Sequence, residues 1–209
     1  MNTVAEQVAA YLLDIKAVKL EPSHPFTWAS GWKSPIYCDN RKTLSYPQVR
    51  TYIRDQFVRL IKSKYPQVEL IASVATGAIA QGALVAQELG LPFVYVRSAA
   101  KNHGLENLIE GEYKSGEKVV VVEDLISTGG SSLQAVEALR GAGCEVLGMV
   151  AIFTYGFQKA VDNFANARCV LDTLSDYNAL IDLAQKTGYV KPEEVSKLKE
   201  WRVSPETYK

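Results

Sequence analysis

Val119-Val120-Val121-Val122-Glu123-Asp124-Leu125-Ile126-Ser127-Thr128-Gly129-Gly130-Ser131-Ser132 is the stretch whose reading decides the fold. An unbroken run of β-branched residues predicts a strand buried on both faces, as in a parallel sheet. A loop of glycines and small hydroxylated residues follows, and then a helix that begins at about residue 131. That loop offers backbone N–H groups and the hydroxyls of Ser127, Thr128 and Ser131 at a helix N-terminus, which suits a phosphate monoester. Glu123 and Asp124 lie too close to such a phosphate to bind it themselves. Their chemistry suits the vicinal hydroxyls of a sugar, or a hydrated magnesium ion shared with the ligand. The stretch therefore predicts a phosphorylated ribose site. The chain has no G-x-x-x-x-G-K-[S/T] and no G-x-G-x-x-G after a strand, so neither a Walker-type loop nor a dinucleotide fold is supported.

Outward from this centre, helical and strand patterns alternate. Apolar spacing predicts helices over 4–16, from Tyr46-Pro47 to Ile61, over Ala78–Leu89, from about 131 to Gly141 or Gly143, near 158–166, over Tyr177–Thr187 and over Pro192–Trp201. Strands are expected at Leu70–Val74, Phe93–Arg97, Val119–Val122, Val146–Phe153 and Cys169–Leu171. Residues 98–116 are polar, lack an apolar period and read as a mobile loop. Pro22, Pro25, Gly31 and Pro35 break the region before the second helix into loop and short strands. Alternating strands and helices predict an α/β fold with a parallel sheet covered on both faces. Ligands in such sheets bind beyond the carboxyl ends of the strands. Three segments fall there: 75–77, 97–103 and 123–131. One domain over 1–209, with a small N-terminal hood built mainly from about 1–45, is the simplest organisation.

Bulk properties narrow the function class. The chain has 209 residues, 47% hydrophobic and 22% charged, an ordinary composition for a globular protein with one good-sized core. Its 23 basic and 23 acidic residues cancel, so neither a nucleic-acid footprint nor a polybasic membrane patch is expected. Cys38, Cys144 and Cys169 form no ligand set and predict free thiols in a reducing compartment. No signal peptide and no apolar span is read, so a cytoplasmic location is expected.

Two further segments carry chemistry. Phe26-Thr27-Trp28-Ala29-Ser30-Gly31-Trp32-Lys33-Ser34-Pro35-Ile36-Tyr37-Cys38-Asp39-Asn40-Arg41 is dense in aromatics, which stack on flat heterocycles. Val96-Arg97-Ser98-Ala99-Ala100-Lys101-Asn102-His103-Gly104 sets two cations and a histidine on a polar loop able to cover and neutralise a pyrophosphate. His24, between prolines, reads as surface.

The central stretch resembles the phosphoribosyl-pyrophosphate (PRPP) signature of type I phosphoribosyltransferases. The aromatic run is similar to the F-T-x-x-S-G-x-x-S-P-x-Y hood of the orotate phosphoribosyltransferase family. The R-x-x-x-K-x-H-G spacing resembles that family's flexible catalytic loop, Ser73–Gly77 its pyrophosphate loop, and Leu174-Ser175-Asp176-Tyr177 its tail. The resemblance implies a type I phosphoribosyltransferase fold, a central parallel sheet flanked by helices, with a hood at the N-terminus. It implies transfer of a phosphoribosyl group from PRPP to orotate, with Mg²⁺ as cofactor, held through PRPP and by Asp124 through water.

It also implies residue roles. Lys101, His103 and Asp124 are the catalytic candidates. Arg97, Lys101, His103, Glu123, Asp124, Leu125, Ile126, Ser127, Thr128, Gly129, Gly130 and Ser131 bind PRPP. Ala75, Thr76 and Gly77 form the pyrophosphate loop, with Ala75–Thr76 as the place for a cis peptide. Ser127, Phe26 and Tyr37 meet orotate. A homodimer is implied, its Arg97–Gly104 loop reaching the neighbouring site, with no nucleic-acid or membrane partner. Three departures stand out. Better-known branches carry Lys where this chain has Ala29 and Gly77, and Asp-Arg where it has Thr154-Tyr155-Gly156. The partner of the orotate carboxylate is thereby left open among hood amides, Lys33 and Arg41. A phosphoribosyltransferase for another base would share the PRPP signature but not the hood. A regulator that binds nucleic acid would need a basic face.

Overall fold

The computed structural model describes residues 3–28, 31–97, 108–206 and 208. In chain order the elements are α1 (Val4–Asp14), β1 (Val18–Leu20), β2 (Phe26–Thr27), β3 (Lys33–Ser34), β4 (Ile36–Cys38), a 3-10 turn (Asn40–Ser45), α2 (Pro47–Lys64), β5 (Leu70–Val74), α3 (Ile79–Leu89), β6 (Phe93–Val96), β7 (Ile109–Glu110), β8 (Lys118–Ile126), α4 (Gly130–Gly141), β9 (Glu145–Thr154), α5 (Gln158–Asn166), β10 (Leu171–Asp176), α6 (Tyr177–Lys186) and α7 (Pro192–Val203).

The valine run sits at the middle of a six-stranded sheet ordered β10-β9-β8-β5-β6-β7. Every neighbouring pair is parallel except β6 with β7. Side chains alternate between the two faces of a strand, and here both faces are covered. Val119 and Val121 join the core beneath α4 and α5, with Leu133, Val136, Leu139 and Phe164. Val120 and Val122 join the opposite core, with Ile53 and Phe57 of α2, Leu12 of α1, Leu180 of α6 and Trp201 of α7. That two-sided burial is why the run has no polar alternation.

The chain runs from β5 to β6 on one side, then returns to place β8 on the other side of β5. The order of strands thus reverses between β5 and β8. Segments leaving the carboxyl ends of these two strands diverge and open a crevice, the expected place for a ligand. The segments after β5 and β8 are Ala75–Gly77 and Ser127–Gly129.

Two small antiparallel ribbons, β1 with β4 and β2 with β3, build the hood. Helix α1 packs against α6 and β10, with Ser175 Oγ donating to the Ala5 carbonyl at 2.8 Å. Its N-terminus is closed by a capping box between Thr3 and Glu6.

Three expectations need correction. Strand β8 does not stop at Val122 but continues through Ile126, because β9 keeps pairing with it as far as Ile126 opposite Thr154. The acids therefore ride on a strand rather than a loop. Ile109–Glu110, within the stretch read as loop, pairs with Tyr95 and Val96 as an antiparallel edge strand. The final strand is Leu171–Asp176 rather than Cys169–Leu171, its length set by the β9 ladder. The three cysteines are free thiols, and among the described residues no helix is long and apolar enough to cross a membrane.

Candidate active site

The phosphate corner follows directly from β8. Gly129 caps α4 with φ +80°, and an added Cβ would lie 2.6 Å from the Phe164 ring. Only glycine meets both conditions. With glycine as cap, no side chain satisfies the first amides of α4. They remain available for an anion, in the field of the helix. Asn163 of α5 holds the loop from below, donating to the Thr128 carbonyl at 2.9 Å. Ser127 and Thr128 are half-buried, Gly130 and Ser131 are exposed, and Ile126 is buried in the core.

The two acids point to different places, as alternation along a strand requires. Glu123 follows the row of Val119 and Val121 toward α4. Its carboxylate accepts from Ser132 Oγ at 2.8 Å and from the Asp124 amide at 2.9 Å. Burial pushes its carboxyl up to about 8, with the neighbouring Asp124 charge adding to the rise. Asp124 follows the opposite row toward the hood and is half-buried. Asn40 donates to its carbonyl at 2.6 Å, tying the hood to β8.

Gly77 lies directly under the Asp124 carboxylate: a Cβ there would be 2.5 Å from Oδ2. A lysine at this position would have to displace that carboxylate. The lysine-to-glycine departure and the placement of Asp124 are thus one packing decision. The Ala75–Thr76 peptide bond is cis.

Three cavities adjoin along the strand ends. One, of about 340 Å³, is lined by Thr27, Trp28, Tyr37, Cys38, Leu125, Ser127 and Tyr155. The next, of about 450 Å³, includes Asp39, Arg41, Thr76, Gly77, Glu123 and Asp124, and shares Cys38 and Leu125 with the first. The third, of about 440 Å³, includes Arg97 and Leu108, and shares Val74, Ala75 and Ser131 with the second. Together they form a trough with an aromatic end, an acidic middle beside the phosphate loop, and an arginine at the far end. A larger hollow between Pro22, Pro25 and the end of α7 shares no residue with it.

The described residues lining the aromatic end carry no charge. Trp28 and Tyr155 stand 5.4 Å apart, and both meet Trp201 of α7 edge-on at 5.6 Å. Phe157 stacks on Tyr155 at 5.4 Å. Trp28 is further fixed by its indole N–H, which donates to the Ile36 carbonyl. Burial makes the Tyr155 hydroxyl and the Cys38 thiol weaker acids, pushing both pKa values well above their usual range, so both stay protonated. Phe26 does not line this cavity; it packs behind Tyr37, ring centres 5.7 Å apart.

The middle holds an ion pair, Arg41 Nε to Asp39 Oδ1 at 2.7 Å, which keeps the Asp39 carboxyl below its usual range. At the far end Arg97 pairs with Glu110 at 3.4 Å, and its amide donates to the Leu108 carbonyl. Among the described residues no group of three or more His, Cys, Asp and Glu side chains could hold a metal by itself. Asp124 and Asp39 are the carboxylates available to share an ion with a ligand. Lys101 and His103 lie outside the described residues. His24 is exposed.

Sequence reasoning passed over Trp28 and Tyr155 as cavity walls, Asn40 and Ser132 as anchors of the acid pair, and Trp201 as the backing. Trp28 and Asn40 stand inside the quoted motif, but nothing local says what they touch.

Residues 47–184 match the family model described as a phosphoribosyl transferase domain. The chain is 62% identical over 208 residues to the orotate phosphoribosyltransferase of Porphyromonas gingivalis, covering 100% of this chain and 99% of that protein. It is 57% identical over 204 residues to the orotate phosphoribosyltransferase of Cytophaga hutchinsonii, covering 98% of each. The crystal structure of orotate phosphoribosyltransferase from Aeropyrum pernix superposes with a TM-score of 0.76 at 27% identity, covering 88% of this chain and 99% of that one. A phosphate loop and acid pair at the sheet's reversal point, an aromatic hood facing them, and full-length identity of this order agree. The chain belongs to the orotate phosphoribosyltransferase family.

Proposed function

We propose that the trough transfers the 5-phosphoribosyl group of PRPP to orotate, giving orotidine 5′-monophosphate and pyrophosphate, in the synthesis of pyrimidine nucleotides. The observation that carries this reading is the continuity of the trough. An aromatic-walled cavity, with no charged side chain among its described lining residues, opens across Cys38 and Leu125 into a carboxylate-lined one beside a helix N-terminus with no side-chain cap.

The amides and hydroxyls of Ser127–Ser131 take the 5′-phosphate. Asp124 faces the ribose hydroxyls. Glu123, tied to Ser132, sets the backbone on which Asp124 stands. The Ala75–Gly77 segment and Arg97 meet the pyrophosphate, and Lys101 and His103 complete its neutralisation and protonate it as it leaves. The loop carrying them serves the neighbouring subunit of a homodimer. Tyr37, Trp28 and Tyr155 enclose the base, and Ser127 reaches it from the phosphate side. Asp124 is the residue that would help hold Mg²⁺ brought in with PRPP, and the ion would supply charge neutralisation there. As the C1′–pyrophosphate bond lengthens, positive charge develops on the ribose before N1 of orotate bonds to C1′. The protein's contribution is positioning and charge stabilisation. The enzyme works in the cytoplasm.

The test is loss of orotate's ultraviolet absorbance on mixing protein, PRPP and Mg²⁺, with adenine, guanine and uracil as controls. Magnesium-dependent loss with orotate alone is expected. PRPP consumption with another base and none with orotate would discard the base assignment and keep the phosphate site.

A further inference from the structure

The inference rests on the reading just given and deepens it. Orotate differs from uracil by one carboxylate, ionised at neutral pH. A carboxylate set against aromatic rings without a cation is costly. The described residues that line the base cavity include no charged side chain. Thr154-Tyr155-Gly156, at the end of β9, offers none either.

Among the described residues, Arg41, Arg202 and Lys33 are cations on the segments that adjoin this cavity. Arg41 is held by Asp39 and lines the acidic cavity, where its charge faces Asp124. Arg202 donates to the Gly156 carbonyl at 3.1 Å and lines a separate hollow with Trp32 and Thr128. Lys33 differs from both. It is exposed and faces Thr27 across the β2–β3 ribbon, and its Nζ donates to Thr27 Oγ1 at 2.8 Å. Thr27 is a wall of the base cavity. An ammonium has three donors, and Thr27 occupies one. Its flexible stem lets the charge turn over the cavity's lip.

We propose that Lys33, steered by Thr27, binds the carboxylate of the base and gives the site its preference for carboxylated over plain pyrimidines. The cation comes from the same hood ribbon that supplies the Thr27 wall of the cavity. Tethering to Thr27 limits the rotamers that binding must still freeze.

The test compares two nucleotides that differ only in the carboxylate. Orotidine 5′-monophosphate and uridine 5′-monophosphate are titrated by calorimetry into full-length wild type, Lys33→Met and Lys33→Arg. Lys33→Met should weaken the carboxylated nucleotide about tenfold and the plain one by less than about twofold, and Lys33→Arg should recover most of the loss. In turnover, KM for orotate should rise in Lys33→Met while KM for PRPP holds. Equal weakening of both nucleotides would make Lys33 a structural residue and overturn the proposal, as would unchanged affinity for the carboxylated one. Wild-type protein that failed to consume orotate would instead overturn the underlying reading, so the two failures are told apart.

Discussion

The phosphate corner is one continuous run of chain, from Glu123 and Asp124 on β8 through Ser127–Gly129 into α4. The aromatic cavity takes Thr27 from β2 and Trp28 just after it, Tyr37 and Cys38 from β4, Leu125 and Ser127 from the end of β8, and Tyr155 from beyond β9. Trp201, near the C-terminus, holds Trp28 and Tyr155 together from behind. The corner is thus shaped by local geometry: a strand end, a left-handed glycine and a helix start. The cavity is shaped by packing among segments far apart in sequence. Anion binding needs amides that neighbouring residues supply automatically, whereas a flat apolar slot needs walls from different directions.

The sharpest way to break this contrast is Trp201→Ala. Trp201 is fully buried, so the truncation should cost about 3–5 kcal/mol in denaturant unfolding. The surviving protein should show a raised KM for orotate with KM for PRPP little changed. Equal rises in both would mean that the two ends are not separately built.

The opposite arm is Asp124→Asn, expected to lower kcat/KM for PRPP by about a hundredfold with little effect on stability. Gly77→Ala should act on the same parameter, by about tenfold, because its Cβ pushes the Asp124 carboxylate from its place. Unchanged PRPP kinetics in both would reduce the acid to a structural role.

The smallest effect concerns Glu123. Burial raises its carboxyl from 4.5 to about 8, so between these values the folded protein keeps a proton that the unfolded chain has lost. Stability should therefore fall as pH rises through that window, with a slope of up to about 1.4 kcal/mol per pH unit from this group, and level off above it. Glu123→Gln should flatten the ligand-free protein's stability profile across the window. The same slope in the variant would assign the titration to another group.

Much of the geometry of the β8–α4 corner is legible in the residues. The valine run, the acids and the Ser-Thr-Gly-Gly loop each have one dominant local conformation, and the structure puts them at the reversal point of the sheet. The Ala75–Thr76 cis bond fell where the motif put it. The base end was legible only as an aromatic motif. Of the two aromatics that the motif offers, Tyr37 lines the cavity and Phe26 packs against Tyr37. Both lie on the same short hood, and no periodicity distinguishes the ring that faces the slot from the ring that supports it.

The sequence by itself determined the parallel sheet, the glycine-rich turn into α4 and the identity of the chemical groups, because strand burial, glycine conformation and helix-end amides act over a few residues. Only the tertiary structure decided where each group points. The β9 ladder extends β8 so that Glu123 turns to Ser132 and Asp124 to Gly77. Trp201 of α7 joins Trp28 to Tyr155. Those outcomes depend on which distant segments pack together, and packing is decided by the whole core at once.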